Sequence, residues 1–519
     1  MKFLKYLLMF AVIGCFSSCE KFLDTEPSDS LSSEFYYNTE TELNNALTGV
    51  YDVLGSEGLY GNAIFTTLHV ATDLSFYRRN NISVGVQVLN YDASATEIRS
   101  MWAVLYDGIN RANLLLENIN KPQMDDANRN VIKGEALFLR AYYYFLLVSN
   151  WGDVPLVLSS KVSLNATNVA RTSSEEVYAF ILKDMEEAEG LVKDIRSIGY
   201  GGRVSKSAVR GILARVNLYM AGYPLGNATR YPEALKWAQK VINDASAGHS
   251  LNPSYSQIFI NYAQDKYDIN SSIWEVEFWG NRIGNAYLES GRLGNTNGVQ
   301  CGDMNEGYSY GFVGATSKLY NLYDGGDVRR DWAVAPYSYK GQTSEKVAWK
   351  ATDIYQRMDG KFRRGYELIE KQKNYTPQNF PLLRYADVLL MAAEAENAIN
   401  GPTELAHQML NFVRERAGAI QYNDVNGNTI TISDDFLKVI QDERARELCF
   451  EALRVNDLKR WGLYLFNLKA AANEFTQRAP AGFKYAALSG NNVAERHLLF
   501  PIPLHEISLN SLLTQNPGW

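Results

Sequence analysis

Hydrophobic positions recur at three- to four-residue steps along most of the chain, a spacing that predicts helices. Thr39-Glu40-Thr41-Glu42 has the form of a capping box that opens the first helix. The turn Gly401-Pro402 separates two later helices, and small residues recur where paired helices would approach. The pattern predicts an all-α, mainly helical fold of tetratricopeptide-like helix pairs, with an ordinary helical bundle as the alternative for each pair. Four pairs are expected, at residues about 39–119, 128–191, 205–245 and 382–418.

Two long polar stretches interrupt this helical pattern. One lies inside the first helix pair, at residues about 73–92, and the other belongs to a loop-rich insert at residues about 250–380. In the insert, SSIWEVEFWG alternates like a strand and is followed by a segment rich in Gly, Asn and Tyr. Loops of this length are uncommon unless they bind something, so both stretches are candidate binding regions.

The first residues have the pattern of a lipoprotein leader. Two lysines precede a short apolar segment, which is followed by small residues and two cysteines, Cys15 and Cys19. The segment is too short to span a membrane, so residues 1–18 are predicted to be a signal peptide. Cys15 follows the better small residue, whereas Cys19 leaves a longer apolar core and opens onto a polar linker. We predict that Cys19 carries the lipid anchor and that residues 19–519 form a single domain.

Composition excludes several classes of function. The net charge of −7 argues against a nucleic-acid partner, because proteins that bind nucleic acids usually carry basic patches. Beyond the leader only Cys301 and Cys449 remain, too few for a disulfide framework, and Cys449 falls in an apolar helical stripe where packing is its expected role. The five histidines are scattered without metal-ligand spacing. We therefore expect no metal and no cofactor.

Carboxylates do not form an obvious catalytic pair. Glu443, Glu447 and Glu451 step by four along one helix among arginines, which is typical of a structural ion-pair network. A glycoside hydrolase needs two carboxylates about 5–10 Å apart in an aromatic cleft. Glu289 and Glu306 are the nearest candidates on the predicted loops. The sequence thus favours a binding protein over an enzyme, and hydrolysis stays an alternative.

Five segments, taken in order, resemble the SusD/RagB family of surface lipoproteins from Bacteroidetes. They are the start CEKFLDTEP, the helices GEALFLRAYYYFLLVSNWGDVPL and RYADVLLMAAEAENAING, the arginine-rich ERARELCFEALRVNDLKRWG, and the tail FPIPLHEI…QNPGW. The resemblance supports Cys19 as the lipidated residue and implies a curved helical scaffold with the irregular segments gathered as a second face.

The same resemblance implies a function. It suggests a non-enzymatic, lipid-anchored protein of the outer membrane, facing the cell exterior, that captures oligosaccharides. The expected partner is a SusC-like TonB-dependent transporter, to which the substrate is delivered. Members of the RagB branch are associated with peptide uptake, so peptide binding is the alternative.

We place the ligand site on the two inserts, because sugars need aromatic faces together with amide and guanidinium donors. The first insert, about 73–92, and the second, about 279–311, supply both. Trp279 alternatively ends a strand and packs inward, and Tyr77 is expected to be the more exposed of the two. The predicted ligand-binding residues are Tyr77, Arg78, Asn81, Trp279, Asn281, Arg282, Tyr287, Tyr308 and Tyr310.

Overall fold

Helices dominate the computed structural model, which describes residues 36–160, 168–283, 290–422 and 436–519. Cys19, the predicted lipidation site, lies outside the described residues. Short 3₁₀ turns link many of the elements. The α-helices are α1 (Glu40–Asp52), α2 (Thr96–Asn118), α3 (Asp126–Trp151), α4 (Ser174–Glu189), α5 (Ile195–Ile198), α6 (Lys206–Ala221), α7 (Tyr231–Ile242), α8 (Tyr255–Ala263), α9 (Ser317–Leu322), α10 (Arg330–Ala333), α11 (Tyr385–Asn400), α12 (Glu404–Arg416), α13 (Phe436–Leu448), α14 (Arg454–Arg460), α15 (Tyr464–Arg478), α16 (Leu488–Asn492) and α17 (Leu504–Leu509).

The long helices pack in sequential pairs: α1 with α2, α3 with α4, α6 with α7, and α11 with α12. Neighbouring pairs are joined by contacts of α2 with α3, α4 with α6, and α7 with α11, so the pairs form one continuous array. Local sequence sets the first helix end, where Thr39 Oγ1 accepts from the Glu42 backbone N–H at 3.2 Å and Glu42 Oε2 accepts from Thr39 N at 3.0 Å. In α3, Tyr142, Tyr143 and Tyr144 are all buried, which is the core placement that their helical spacing predicts.

Short strands pair segments that are far apart in sequence. Three two-stranded antiparallel sheets join β1 with β3, β2 with β6, and β4 with β5. The alternating SSIWEVEFWG segment contains β2, which is buried along its whole length. The strands are β1 (Ser75–Tyr77), β2 (Ser272–Val276), β3 (Val313–Ala315), β4 (Tyr337–Tyr339), β5 (Lys346–Ala348) and β6 (Phe380–Arg384).

A buried ion-pair network fastens α13 to the insert and to the scaffold. Glu447 accepts from Arg384 at 2.8 Å and lies 3.1 Å from the Arg329 guanidinium, while Glu443 accepts from Arg329 at 2.6 Å. Glu451 completes the row by accepting from Lys361 Nζ at 2.7 Å. All six side chains are at most 3% exposed, so these pairs are not the weak surface pairs that a charged helix face suggests. Because each charge has a partner, the network fixes α13 in one position; leaving any member unpaired would be costly.

Across the described ranges, no helix combines the length and the hydropathy needed to cross a membrane.

Candidate functional site

The pairing of β1 with β3 brings the two predicted inserts together. Tyr77 lies opposite Val313, and the Arg78 backbone N–H donates to the Phe312 carbonyl oxygen at 2.7 Å. The second insert is itself held by backbone bonds, since Tyr310 N donates to Asn295 O at 2.7 Å. The side chains that follow each strand are therefore placed by main-chain hydrogen bonds rather than by a free loop.

The pairing of β1 with β3 brings four aromatic rings side by side. We call this set the aromatic row: Tyr77, Phe312, Tyr310 and Tyr308. The Tyr77 and Phe312 rings stack with centroids 5.5 Å apart and planes 21° apart. Phe312 stacks on Tyr310 at 5.2 Å and 6°, and Tyr310 meets Tyr308 edge-on at 5.0 Å. All four rings are partly exposed, so the row presents a continuous aromatic surface to a ligand.

Two arginines flank the row. The Arg79 guanidinium lies 4.4 Å from the Phe312 ring centroid and donates to the Tyr310 carbonyl oxygen at 2.5 Å. Arg78 donates to Gln300 Oε1 at 3.1 Å. Partial burial lowers the pKa of both guanidinium groups and raises the pKa of the Tyr77 phenol, because water is removed from their charged forms. Donors are thus held beside flat rings, the combination that a sugar requires.

The segment Glu370–Tyr375 forms the other side of the row. Tyr310 donates its hydroxyl hydrogen to Asn374 Oδ1 at 2.9 Å, and Lys373 Nζ lies 4.9 Å from the Tyr308 ring. Sequence reasoning did not select this segment, nor did it select Phe312, the central ring of the row. The same residue types that marked the inserts occur in EKQKNY, but the segment lies outside the stretch that was selected, 279–311.

The predicted residues near Trp279 form a second group, which contacts the opposite end of the same segment. The Arg282 guanidinium lies 4.2 Å from the Tyr375 ring centroid, and its Nε donates to Ser290 Oγ at 3.2 Å. Asn281 donates its amide hydrogen to the Glu370 carbonyl oxygen. Trp279 is 53% exposed. Glu370–Tyr375 therefore connects the two groups of predicted residues.

The expectations for Tyr77 and Asn281 change, and the alternative considered for Trp279 is excluded. Tyr77 is not the more exposed ring, because it stacks on Phe312, whereas Trp279 does not pack inward. Asn281 is only 5% exposed and its amide is used by the protein, so it is a positioning residue for the loop rather than a direct ligand. Asn81 is exposed, and Tyr287 lies outside the described residues.

A cleft of about 440 Å³ adjoins Arg282 and contains two carboxyl groups that the sequence did not single out. Glu275 and Glu277 alternate along the strand segment, so both face the turn at Gly201-Gly202, where Glu277 Oε1 accepts from Gly202 N at 3.1 Å. Burial raises the pKa of each to about 7, and their mutual repulsion adds to the shift of Glu275. Burial therefore favours the protonated form of both carboxyls, and the neighbouring Glu277 adds to this effect at Glu275.

Of the two loop carboxylates considered from sequence, Glu306 has a structural partner, and so do two further carboxylates on α11, Glu394 and Glu396. Glu306 accepts from the Tyr339 hydroxyl at 2.5 Å, and Glu289 lies outside the described residues. Glu394 accepts from Arg460, whereas Glu396 accepts from Thr403 at 2.8 Å, so the two point to different neighbours. Within the described residues no group of three or more His, Cys, Asp or Glu side chains could hold a metal ion.

The protein is a helical scaffold that carries an exposed aromatic row. Comparison with known proteins identifies its family. The SusD family model matches residues 337–519, and the model described as starch-binding associating with outer membrane matches residues 21–218. A SusD-like protein of Formosa agariphila is 26% identical over 98% of this chain and 97% of its own length.

Solved structures agree over nearly the whole chain. A SusD homologue from Bacteroides thetaiotaomicron superposes with a TM-score of 0.84 at 26% identity, covering 94% of this chain and 98% of that one. A laminarin binding SusD-like protein superposes with a TM-score of 0.72 at 25% identity, covering 93% of this chain and 100% of that one. The chain belongs to the SusD family, and the predicted mainly helical, tetratricopeptide-like fold is confirmed.

Proposed function

We propose that this protein is a cell-surface lipoprotein that captures oligosaccharides on the aromatic row and passes them to a SusC-like TonB-dependent transporter. The observation that carries the proposal is the stack Tyr77–Phe312–Tyr310, with the Arg79 guanidinium 4.4 Å from the central ring. Sugar C–H faces pack on aromatic rings, while hydroxyls need donors and acceptors at the ring edges. The family model that matches residues 21–218 is described as starch-binding, and one structural neighbour is described as laminarin binding. Both descriptions support an oligosaccharide ligand.

Binding is proposed to extend from the row across Glu370–Tyr375 toward Trp279. Tyr308, Tyr310 and Arg282 each contact that segment or its side chains, and Trp279 is the most exposed predicted ring. A chain of several sugar units fits such an elongated surface better than a single unit does. Laminarin- and starch-derived oligosaccharides are the first ligands to test.

The test is titration calorimetry of the protein with laminarin and starch oligosaccharides, comparing wild type with Phe312→Ala, Tyr77→Ala and Trp279→Ala. A stacked ring contributes about 1–3 kcal/mol, so each change should weaken binding by about ten-fold or more. Phe466→Ala is the matched control, because Phe466 is an exposed aromatic ring on α15, 71% accessible and outside the row. Circular dichroism checks that each variant stays folded.

The proposal fails if the three ring variants bind as the control does, or if they lose binding only by unfolding. Titration with peptides in parallel decides between the glycan ligand and the peptide alternative. A reducing-sugar assay with the same polysaccharides decides on hydrolysis, and no release of reducing ends is expected.

The lipid anchor at Cys19 and the transporter partner are tested in cells. Cys19→Ala should release the protein from the membrane, whereas Cys15→Ala should leave it attached; the opposite result would move the anchor to Cys15. Gentle detergent extraction of the anchored protein should bring with it a large outer-membrane transporter. A protein that purifies alone from cells grown on its inducing glycan would contradict the delivery step.

A further inference from the structure

A second cavity lies among the ends of several helices, and none of its lining residues belongs to the aromatic row. Its volume is about 420 Å³, within the usual range of small-molecule sites. The walls come from the ends of α3 and α6, the first turns of α4, the helix α14 and the C-terminal segments around Leu499 and Pro517. The scaffold thus encloses a second space of ligand size.

Most of this cavity is walled by aromatic and aliphatic side chains. Tyr178 and Tyr219 form one wall, and Tyr219 is held edge-on against Phe145 with ring centroids 4.9 Å apart. Leu225 and Leu499 line the space from the side of the loops. Burying the many hydroxyls of a sugar against aliphatic walls would be costly, so these walls favour a ligand with an apolar body.

Four charged side chains line the cavity: Lys459, Arg460, Arg496 and Glu495. Within the described residues Lys459 forms no ion pair with a carboxylate. Lys459 and Asn456 lie three residues apart on α14, hence on one face, and are 7% and 8% exposed. Lys459 Nζ lies 5.6 Å from the Tyr464 ring centroid and 5.4 Å from the Phe500 ring centroid. In the part of the chain that the structure describes, no hydrogen bond joins it to a carboxylate.

The polar groups on α14 differ in whether the protein supplies them with a partner. Asn456 Oδ1 is buried without a hydrogen-bond partner among the described residues. Arg460, next in the chain, is fully paired with Glu394 and Asp457. Burial lowers the pKa of Lys459 to about 7, which reflects the missing counter-ion. A buried ammonium group without an anion is costly, and a ligand carboxylate would remove that cost.

We propose that this cavity binds a small amphiphilic carboxylate, with its apolar body against Tyr178, Tyr219 and Leu499 and its carboxylate at Lys459. A buried ammonium group without an ion pair matches one negative charge, and the apolar walls favour a carboxylate on a hydrocarbon body over a phosphate dianion. Medium-chain and aryl-alkyl carboxylates are the ligands of this class that the cavity volume admits.

The test compares decanoate with 1-decanol, its neutral counterpart, by titration calorimetry and thermal melting of the whole protein below pH 7, where Lys459 is protonated. Decanoate is expected to bind and to raise the melting temperature. Lys459→Met should weaken decanoate binding by at least about ten-fold, because a charge-assisted hydrogen bond is lost, and should leave 1-decanol unaffected. Lys469→Met, at an exposed position on α15, is the matched control.

Lys459→Met should fold, because methionine fills the same space without a buried charge. Leu499→Trp, which fills the cavity from its wall, should abolish binding of both probes. The proposal is overturned if decanoate does not bind saturably up to about 1 mM, the weakest affinity of interest. It is equally overturned if Lys459→Met binds decanoate as wild type does, or if a glycan oligosaccharide displaces decanoate from this cavity.

Discussion

Replacing Glu275 with glutamine should stabilise the protein increasingly as the pH rises from 5 to 8. Glu275 is buried on β2, accepting from Ser272 Oγ at 2.6 Å and from Asn379 Nδ2 at 3.1 Å. Burial and the neighbouring Glu277 raise its pKa from 4.5 to about 7. Glutamine imitates the protonated carboxyl in size and polarity, so the change isolates the effect of ionisation.

The magnitude follows from proton linkage. Between pH 4.5 and 7 the folded protein holds a proton on Glu275 that the unfolded chain has lost, so the free energy of unfolding falls as pH rises through this window. Each pKa unit is worth about 1.4 kcal/mol, so the full loss above pH 7 is about 3 kcal/mol. Below pH 4.5 both states are protonated, and the difference disappears.

Urea unfolding followed by circular dichroism at pH 5, 6, 7 and 8 measures this effect at constant salt. The stability of Glu275→Gln minus that of wild type should grow from about 1 kcal/mol or less at pH 5 toward about 3 kcal/mol at pH 8. Glu186→Gln, at an exposed position on α4, is the control and should show no such trend. A variant whose difference from wild type is the same at all four pH values would refute the reasoning, and a variant less stable at pH 8 would reverse its sign.

Three further predictions concern the core. Glu447→Ala should lower the free energy of unfolding by about 3–5 kcal/mol, because it strands buried arginines, and a loss below about 1 kcal/mol in urea unfolding would contradict this. Burial alone would raise the pKa of Asp387, but two arginines hold that pKa at about 2. The ionised carboxylate therefore stabilises the folded protein, and this contribution is lost as the pH falls from about 4 toward 2. Asp387→Asn should therefore lose less stability than wild type between pH 5 and pH 3 in the same assay. Gly490→Ala should lower the free energy of unfolding by about 1–3 kcal/mol, because the added Cβ would lie 2.1 Å from the Leu468 carbonyl oxygen. Gly482→Ala has open space around the added Cβ and should leave the melting temperature unchanged.

Local signals in the sequence predicted the scaffold. The capping box at Thr39 and the spacing of Tyr143 in α3 act within a few residues, so each can be read without knowing the rest of the chain. The buried state of Glu447 could not be read in this way. Its arginine partners come from α12, β6 and the insert, and the same alternation of charges would also fit an exposed helix face.

The candidate site was predictable in its segments but not in its contacts. The residue types of the inserts pointed to Tyr77 and Tyr310, yet the ring between them, Phe312, becomes visible only through the register of β1 on β3. Asn281 shows the opposite failure, because an amide in a Gly/Asn-rich loop can bind either a ligand or its own backbone. Here it donates to the Glu370 carbonyl oxygen, and that choice depends on how two loops pack.

The pairing of β1 with β3 also sets the order in which the protein can mature. Ser75 is synthesised early, whereas its strand partner Ala315 is synthesised much later. The Phe76 ring also contacts the Phe475 ring, with centroids 5.0 Å apart, and Phe475 lies near the end of the chain. Such distant contacts form slowly, because long loops must close first. The position of β1, and with it the start of the aromatic row, therefore depends on side chains that come from the last part of the chain.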